Sequence, residues 1–392
     1  MSKKVADKGS PERLTQIAPI VRGLLAEATD EPDTPYKPVI VKSLTSKEAV
    51  DFAGSAKNAE AVDYPAPLTK GGRSPLFLNV GEEFSQQLKD AISDYSTQHS
   101  LKPEIICLGD LGFLYIDQTE RDSDLPLANK VALVTGAAGA IGYGICCGLL
   151  EKGCHLAVTD LPGEKLDSFT ADLKQIAADR VMGVAIDVTD EESVVRGFEE
   201  IILTWGGIDI LVVNAGIPLV AHLKDMDLEA FRKLEKVNVE GTLLTLREIA
   251  NHFILQGTCG DIVIVSTKNV PCPGASFGAY SATKAAAHQL GRIASLELAP
   301  HGVRVNMVAP DGVFSEGNYR SGLWAAVGPD RMRARGLDEE GLQEYYQNRN
   351  LLKARITGRH VSNAVLFFVT RQTRTTGVTI PEDGGLPDAT PR

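Results

Sequence analysis

Two short motifs in this chain could do chemistry together: a tyrosine four residues before a lysine, and a glycine-rich turn. Tyr280 and Lys284 are spaced so that a helix places the phenol and the ammonium on one face, one turn apart. Residues 135–142 have the composition of a strand-to-helix turn that receives a phosphate. The glycines of this turn are Gly136, Gly139 and Gly142. Each motif alone is weak, but the two in this order predict hydride exchange with a dinucleotide, with the tyrosine as the group that moves the proton.

The side chains near Tyr280 can be assigned to the oxidation of a secondary alcohol. A free tyrosine has a pKa of ~10, too high for a base at neutral pH, so we expect the charge of Lys284 to lower it and its ammonium to hold the nicotinamide ribose. Thr267 is the expected hydroxyl that holds the substrate oxygen, and Ser266 is the alternative. Asn238 is expected to interrupt a long helix and hold a water behind Lys284, the alternative being an ordinary solvated helix residue.

Polar residues follow several predicted strands at the point where each strand ends. Asp160 ends the strand after the glycine-rich turn, where a carboxylate accepts both ribose hydroxyls and repels a 2′-phosphate. It therefore predicts NAD as the cofactor, unless it only caps the turn that follows. Asp187 is expected near the adenine or at the start of the next helix. The run Asn214, Ala215 and Gly216 ends a further strand at the same edge of the sheet.

From Lys130 onward, short apolar runs alternate with amphipathic stretches of helical spacing. Continuous apolar strands between helices predict a parallel sheet covered on both faces, which is a doubly wound α/β domain of the Rossmann type. The predicted strands are residues 131–134, 155–159, 181–186, 208–213, 261–265, 303–308 and 376–380. The predicted helices include residues 141–152, 191–205, 228–256 and 278–298.

The first part of the chain has many turn formers and is predicted to be a smaller, irregular α/β region. Within it we predict a short helix at residues 19–28 with proline in its first turn, a longer helix at 81–100 and a strand at 104–108. Residues 118–124 are polar and charged, which is typical of a linker. The predicted domains are therefore residues 1–127 and residues 128–392.

Composition excludes several classes of function. Among the 392 residues, 40 basic against 51 acidic side chains give a net charge of −11, which argues against nucleic acid as a partner. The six cysteines form no CxxC pair and the seven histidines no HExxH pair, so we expect no catalytic metal and a reduced, cytoplasmic setting. The apolar runs are of strand length, and we therefore expect neither a membrane span nor a signal peptide.

Residues from about 128 to 388 resemble the short-chain dehydrogenase/reductase family in the motifs above and in the run from Pro310 to Gly312. The resemblance implies a catalytic set of Asn238, Thr267, Tyr280 and Lys284. The further cofactor contacts that it implies are Ile141, Val188, Pro310, Gly312 and Val313. The chain departs from the family pattern at Thr267, where the family has serine, and at Ala140, where it has glycine. We expect the Ala140 methyl to tighten the pyrophosphate turn.

A narrower resemblance concerns residues 344–353 and residues 47–117. The first segment is similar to the dehydrogenase half of bacterial bifunctional proteins that fuse a class II, rhamnulose-phosphate-type aldolase to a short-chain dehydrogenase. The second resembles the tail of the aldolase half, including residues 63–78 and 102–112. The histidine metal ligands of that aldolase have no counterpart here, so the N-terminal region is interpreted as a remnant without aldol chemistry.

The expected substrate is a sugar, a polyol or one of their phosphates. Residues 314–355 are polar and rich in arginine, which binds phosphate in a bidentate manner; a solvated helix pair is the alternative. The candidate substrate contacts are Ser266, Lys268, Asn269, Arg320 and Trp324. The resemblance implies sorbitol-6-phosphate or lactaldehyde-type substrates as the nearest cases. Two other functions are a non-catalytic NAD-binding scaffold and an NADPH-dependent ketoacyl reductase.

The two longest predicted helices, residues 228–256 and 278–298, also predict a homodimer or homotetramer. Related dehydrogenases pair these helices, and their length exceeds what one face of a domain needs. The apolar residues expected to be shared between the domain core and the subunit interface are Leu243, Leu244, Leu246, Ala286, Leu290 and Ile293.

Overall fold

The computed structural model describes residues 10–54, 74–117, 124–316 and 318–387. These residues form two compact units. The first combines the N-terminal region up to Ser123 with two later segments, Phe198–Ile208 and His252–Thr258. The second consists of Asp124–Gly197, Asp209–Asn251 and Cys259–Arg392. One boundary between the units lies between Ser123 and Asp124, whereas the two later segments of the first unit fall inside the predicted second domain, residues 128–392, so the predicted domain division stays a prediction.

The first unit contains a small mixed sheet and three helices among its described N-terminal residues. The helices are α1 (Ser10–Leu25), α2 (Lys47–Gly54) and α3 (Phe84–His99), and the strands are β1 (Glu27–Ala28), β2 (Tyr36–Lys37), β3 (Val41–Leu44), β4 (Leu76–Phe77), β5 (Ile105–Cys107) and β6 (Phe113–Ile116). The sheet has the order β3-β6-β5-β4, and only its β4–β5 pair is parallel. β1 and β2 form a separate antiparallel ribbon.

The core of the first unit lies along one face of α1. Leu14, Ile17 and Val21 are fully buried on that face, and they pack in one apolar cluster with Ile202. The Arg22 guanidinium is also buried, with its Nε donating to the Val39 carbonyl oxygen at 2.7 Å and its Nη1 to Gln256 Oε1 at 3.2 Å. Burying a guanidinium requires such acceptors, since an unsatisfied buried charge is strongly destabilising.

The prediction of a helix at residues 19–28 is wrong. α1 begins at Ser10 and ends at Leu25, so Pro19 lies inside the helix and not in its first turn. Ala28 instead pairs with Tyr36 in the short ribbon. Proline weakens a helix interior, but here the buried apolar face on both sides of Pro19 outweighs that local preference. Residues 118–123 of the predicted linker, and residues 63–73 of the aldolase-like segment, lie outside the described residues.

The second unit is built on a parallel sheet with seven strands in the described residues. The strands are β7 (Val131–Val134), β8 (His155–Asp160), β9 (Val181–Ala185), β10 (Ile210–Val213), β11 (Gly260–Val265), β12 (Val303–Pro310) and β13 (Thr379–Glu382), in the order β13-β12-β11-β10-β7-β8-β9. β7 and β10 are buried throughout, which explains their continuous apolar sequences. The strand order reverses between β7 and β10, and ligands of such folds bind outside the carboxyl ends of the strands there.

Helices follow most strands of this sheet. They are α4 (Ala140–Glu151), α5 (Glu164–Lys174), α6 (Glu191–Trp205), α7 (Leu228–Glu235), α8 (Gly241–Gln256), α9 (Gly278–Leu298), α10 (Gly322–Arg335), α11 (Glu339–Asn348) and α12 (Gly358–Val369). The doubly wound α/β prediction is therefore confirmed. The predicted strands at 155–159 and 303–308 are each extended at their carboxyl ends, to Asp160 and Pro310, and the predicted strand at 376–380 begins later, at Thr379.

The predicted helix at residues 228–256 is interrupted in its first half. α7 and α8 are joined by a π-helical turn, Lys236–Glu240, which contains Asn238. A π turn skips one step of the regular backbone ladder and is frequent at functional sites. In the described residues, no helix is both long enough and apolar enough to cross a membrane.

Candidate active site

The glycine-rich turn connects β7 to α4 at the carboxyl edge of the sheet. Gly136 has a φ of 56°, and a Cβ atom at this position would lie 2.6 Å from Ala215 Cα, so only glycine fits here. Gly139 precedes α4 without any side-chain cap, and a Cβ placed on it would meet nothing within 4 Å. The open space over the helix start is where a pyrophosphate would meet unpaired backbone N–H groups and the positive end of the helix dipole.

Asn214 and Thr135 hold this turn against the end of β10. The Asn214 Nδ2 donates to the carbonyl oxygens of Thr135 and Gly136 at 3.1 and 2.7 Å. In return, Thr135 Oγ1 accepts from the backbone N–H groups of Asn214 and Ala215 at 3.0 and 3.1 Å. The sequence placed Asn214 at the correct edge, and the structure adds that its amide fixes the shape of the glycine turn.

The methyl group of Ala140 does not face the open side of the turn. Ala140 is the first residue of α4 and only 2% of its surface is exposed. The expected tightening of the pyrophosphate turn therefore finds no support, because the methyl lies in the packed interior while the space at Gly139 stays open.

The two carboxylates that were assigned to the adenosine already have protein partners. Asp160 accepts the N–H groups of Ala138 at 3.1 Å and Leu161 at 2.9 Å, and its Oδ2 lies 3.3 Å from Lys165 Nζ. Asp187 Oδ1 accepts from the backbone N–H and the hydroxyl of Thr189 at 2.9 and 2.7 Å. Both carboxylates therefore cap local turns, which was the alternative to a cofactor contact for each of them. The lone pairs that these bonds do not use stay available to a ligand.

The other expected cofactor contacts occupy varied environments. Val188 is buried beside Gly241, where a Cβ would lie 2.8 Å from Val188 Cγ2. Gly312 lies under the Tyr346 ring, since a Cβ there would be 2.7 Å from Tyr346 Cδ1. Pro310 ends β12, Val313 is buried, and Ile141 is half-buried in the first turn of α4.

Tyr280 and Thr267 come together at the end of β11. Tyr280 lies in the first turn of α9, with the Thr267 hydroxyl near enough to its phenol to act to lower the pKa of Tyr280. Thr267 is 7% exposed, and its Oγ1 also accepts the backbone N–H of Asn269 at 3.3 Å. The hydroxyl at position 267 is thus held by the backbone beside it and lies near the phenol.

Lys284 lies one turn further along α9 and is buried. Its Nζ donates to the Val265 carbonyl oxygen at 2.7 Å. Burial lowers the pKa of Lys284 to about 8, because the ammonium loses its hydration. Burial likewise raises the pKa of Tyr280 to about 12, and the Thr267 hydroxyl acts in the opposite direction. Desolvation of the phenolate is thus the larger effect on Tyr280, and the expectation that the charge of Lys284 lowers this pKa stays a prediction.

Ser266, the alternative hydroxyl, has a different partner. Its Oγ is 2.9 Å from Nδ1 of His288, whose Nε2 is 3.4 Å from Thr379 Oγ1. Successive side chains at the end of a strand point to opposite faces, so only one of the two hydroxyls can meet Tyr280. The pKa of His288 is lowered, first by burial and then by the nearby charges of Arg292 and Lys284.

Asn238 is buried in the π turn and is not a solvated helix residue. Its Oδ1 accepts the Ile217 N–H at 2.9 Å, and its Nδ2 donates to the Ile217 carbonyl oxygen at 3.0 Å and to Thr283 Oγ1 at 3.1 Å. The Asn238 carbonyl oxygen accepts from the Thr242 hydroxyl at 2.8 Å. Asn238 thereby joins the loop after Gly216 to the helix that carries Lys284, while the water it was expected to hold stays a prediction.

Several expected substrate contacts have structural roles. Trp324 Nε1 donates to the Val313 carbonyl oxygen at 2.8 Å, and its ring stacks on Phe314 with 5.2 Å between centroids. Trp324 therefore packs α10 onto the end of β12. Arg320 is exposed, and Asn269 is buried with its N–H directed at Thr267. Lys268 is half-buried, and its Nζ is 3.4 Å from the Cys272 carbonyl oxygen.

Sequence reasoning missed several residues of this site. Asp311, which lies in the run from Pro310 to Gly312 but was assigned no role, forms an ion pair with Arg349. Phe277 has its ring centroid 6.1 Å from that of Tyr280, and the Arg331 guanidinium lies 4.4 Å above the Phe277 ring. Phe277 precedes Tyr280 by about one helical turn, a spacing that predicts contact between the two rings. The position of Arg331 depends on how α10 packs and could not be predicted in this way. In the described residues no group of three or more His, Cys, Asp or Glu side chains is arranged to hold a metal ion.

Comparisons with known proteins agree with this geometry. A family model for short chain dehydrogenases matches residues 130–323. The uncharacterized oxidoreductase YuxG of Bacillus subtilis (strain 168) is 34% identical over 264 residues, which cover 67% of this chain but 38% of that protein, so the match spans well under half of its length. The L-xylulose reductase of Mesocricetus auratus is 30% identical, with 67% of this chain and 98% of that protein covered.

A solved structure, the sorbitol-6-phosphate 2-dehydrogenase of Erwinia amylovora, has a TM-score of 0.60 and 27% identity, covering 65% of this chain and 98% of that one. The sheet order, the glycine turn and the neighbouring Thr267 and Tyr280 side chains are thus found in a chain whose relatives include a reductase and a dehydrogenase. The chain belongs to the short-chain dehydrogenase family, and it is an oxidoreductase of the kind that uses a nicotinamide cofactor.

Proposed function

We propose that this enzyme is an NAD-dependent dehydrogenase that interconverts a secondary alcohol and a ketone of a sugar or polyol. The observation that carries the proposal is that the buried Thr267 hydroxyl lies near the Tyr280 phenol, with Lys284 one turn further along the same helix. A substrate oxygen placed between the two hydroxyls would receive one hydrogen bond from Thr267 and exchange its proton with Tyr280.

The residues that would hold the cofactor fit a dinucleotide. The open space at Gly139 and the uncapped start of α4 suit a pyrophosphate. The carboxylate of Asp160 suits the adenosine ribose and disfavours a 2′-phosphate, which supports NAD over NADP. A nicotinamide bound at this edge of the sheet would supply or accept the hydride. Lys284 would then exchange the Val265 carbonyl for the ribose hydroxyls.

In this mechanism the chain's own residues manage the proton. Tyr280 keeps its proton at neutral pH, because burial raises its pKa, and is therefore ready to donate in the direction of ketone reduction. Oxidation requires the phenolate, which the Thr267 hydroxyl stabilises and which a charged Lys284 would stabilise further. Asn238 positions the loop at Gly216 and the helix at Thr283, so that the site keeps its shape.

The substrate class is supported by relatives whose names concern sugars and polyols, among them L-xylulose reductase and sorbitol-6-phosphate 2-dehydrogenase. The N-terminal unit is proposed to be a non-catalytic relative of an aldolase tail, and the enzyme is proposed to be a homodimer or homotetramer. The test is a panel of polyols and sugars assayed with NAD for NADH formation, with Tyr280→Phe as the matched inactive variant. An inability of the wild type to oxidise any member, or equal activity of the variant, would refute the proposal.

A further inference from the structure

Three basic side chains, Lys268, Arg331 and Arg349, lie beside the proposed catalytic residues and form what we name the cationic cluster. Lys268 follows Thr267 directly in the chain. The Arg331 guanidinium lies 4.4 Å above the Phe277 ring, and the centroid of that ring is 6.1 Å from the centroid of Tyr280. The cluster therefore lies within a few side chains of the phenol that would exchange the substrate proton.

One aromatic ring holds the two arginines of the cluster together. The Arg349 guanidinium lies 4.1 Å from the centroid of Tyr346, and the Arg331 guanidinium lies 5.9 Å from it. Tyr346 is itself 7% exposed and packs against Gly312 at the end of β12. Two like charges are thus kept near one another by a buried ring, and the fold must offset their mutual repulsion.

The charges of the cluster are only partly neutralised within the chain. Asp311 pairs with Arg349. Lys268 Nζ has a carbonyl oxygen, that of Cys272, at 3.4 Å, and in the described residues Arg331 has neither an ion pair nor a hydrogen bond. Burial lowers the pKa of both Lys268 and Arg331; the charge of Arg349 acts in the same direction on both, while the charge of Asp311 raises the pKa of Lys268. Lys268 and Arg349 thus share the carboxylate of Asp311, and within the described residues Arg331 is a half-buried positive charge without an ion pair, which is costly unless a ligand supplies negative charge.

We propose that Lys268 and Arg331 form a subsite for an anionic group at the far end of the substrate, a phosphate or a carboxylate. The inference rests on the proposed function, since it names which sugar or polyol derivatives the same site prefers. Arg349 would act indirectly, because Asp311 already occupies its guanidinium and the pair fixes the position of Tyr346. A guanidinium and an ammonium close enough for their charges to interact are the kind of groups that bind a phosphate or a carboxylate.

The experiment compares matched neutral and anionic substrates in three variants. Sorbitol, sorbitol 6-phosphate and gluconate are assayed with NAD in the wild type, Lys268→Met, Arg331→Met and Arg335→Gln. Methionine keeps most of the apolar stem and removes the charge. Arg335 is the control, because it lies one turn along α10, is exposed and stacks on Tyr345 at 4.8 Å.

We expect the wild type to favour an anionic substrate, and Lys268→Met and Arg331→Met to raise KM for it on the order of 10–100-fold with little change in kcat. In Lys268→Met and Arg331→Met, the kcat/KM for sorbitol should stay within about twofold of the wild-type value. The kinetics of the Arg335→Gln control should also stay within about twofold of those of the wild type. A preference for sorbitol 6-phosphate assigns a phosphate and one for gluconate assigns a carboxylate. The absence of any anionic preference, or an equal loss on sorbitol, would overturn the subsite.

A binding measurement keeps this inference separate from the proposed function. Inorganic phosphate is titrated into the full-length wild type and into Arg331→Met, and the shift in Tm is recorded. Stabilisation of the wild type that Arg331→Met loses and Arg335→Gln keeps supports the subsite even if no polyol is oxidised, in which case the proposed function alone fails. Equal responses of wild type and Arg331→Met would overturn the subsite while leaving oxidation of neutral polyols intact.

Discussion

The hydroxyl of Thr267 lies near the phenol of Tyr280 and acts to lower its pKa, while that of the neighbouring Ser266 is hydrogen-bonded to His288. The strand end therefore separates the expected hydroxyl from its alternative in the sequence. It directs Thr267 towards the phenol and Ser266 towards the other face. This division leads to the first prediction, because each of the two hydroxyls can be removed by substitution without the other.

Thr267→Val should lower kcat/KM on the order of 10²-fold. Valine keeps the shape of the side chain but removes the hydroxyl that would act on the substrate oxygen and on Tyr280. Thr267→Ser should keep most of the activity, and Ser266→Ala should do the same because its hydroxyl serves His288. Steady-state kinetics with the best polyol from the panel is the measurement. A larger loss in Ser266→Ala than in Thr267→Val would reverse the assignment.

Tyr280→Phe should lower turnover on the order of 10²–10⁴-fold, the usual contribution of a positioned acid or base. The change removes the proton that is exchanged and keeps the ring that packs on Phe277. NADH affinity, measured by fluorescence titration, should stay within about twofold of the wild type. A variant that retains most of its activity would contradict a proton-transfer role for Tyr280.

Lys284→Met should abolish activity and stabilise the fold at neutral pH by roughly 1–3 kcal/mol, because a buried ammonium is replaced by an apolar chain of similar length. The lost hydrogen bond to the Val265 carbonyl oxygen offsets part of this gain. Urea unfolding is the measurement, and Lys233→Met, at an exposed position of α7, is the control that should show no gain.

The pH dependence of that difference follows from the lowered pKa of Lys284. Below pH 8 the lysine is charged in both the folded and the unfolded protein, so the cost of burying the charge is fully present. Between about 8 and the ordinary value of 10.5, the unfolded state binds more protons, and the stability of the wild type rises with pH. The advantage of Lys284→Met should therefore shrink from pH 8 to pH 10, and a constant advantage would rule out desolvation as its source.

Asp160→Ala and Asp160→Asn together test the cofactor preference. The wild type should favour NAD, because the carboxylate repels a 2′-phosphate. Asparagine has one acceptor oxygen, so it can keep the N–H bond from Ala138 or the one from Leu161 but not both, while it removes the charge. Both variants should narrow the ratio of kcat/KM for NAD over NADP by tenfold or more, which is the scale of a lost like-charge repulsion. Equal wild-type values for the two cofactors would remove Asp160 from the role.

Leu243 and Ile293 test the predicted assembly. They are 48% and 40% exposed on α8 and α9, whereas Leu246 of the same predicted set is buried in the domain. Exposed apolar residues on long helices are expected to lie in a subunit interface. Leu243→Glu and Ile293→Asp should each reduce the mass measured by light scattering at micromolar concentration, and Ile176→Glu, at an exposed position in neither helix, should not. A monomeric wild type would end this prediction.

The sequence was most informative where chemistry is local. Tyr280 and Lys284 belong to one helix, and the glycines of residues 135–142 to one turn, so their relative positions follow from regular geometry. The sheet was readable because strands buried on both faces must be apolar without interruption. The start of the first helix was predicted wrongly, because the preference of proline for a first helical turn is outweighed at Pro19 by the packing of α1 on both sides of it.

The part of the site that could not be predicted depends on residues distant in the chain. Arg331 reaches Phe277 only after α10 has packed through Trp324 onto the end of β12. Periodicity does not specify which arginine of residues 314–355 faces inwards and which faces solvent. The π turn at Asn238 was anticipated as an interruption, but its contacts with Ile217 and Thr283 required the tertiary fold.

The interleaved division of the chain has a consequence for its synthesis. The first unit is made from the N-terminal region and from residues as late as Thr258, and Arg22 finds Gln256 only when that segment has been translated. Domains generally fold in order as they leave the ribosome. Here the apolar face of α1 stays incompletely covered until the later segments of the first unit have been made. The N-terminal region therefore cannot complete its fold alone, because the segments that finish the first unit follow residue 197.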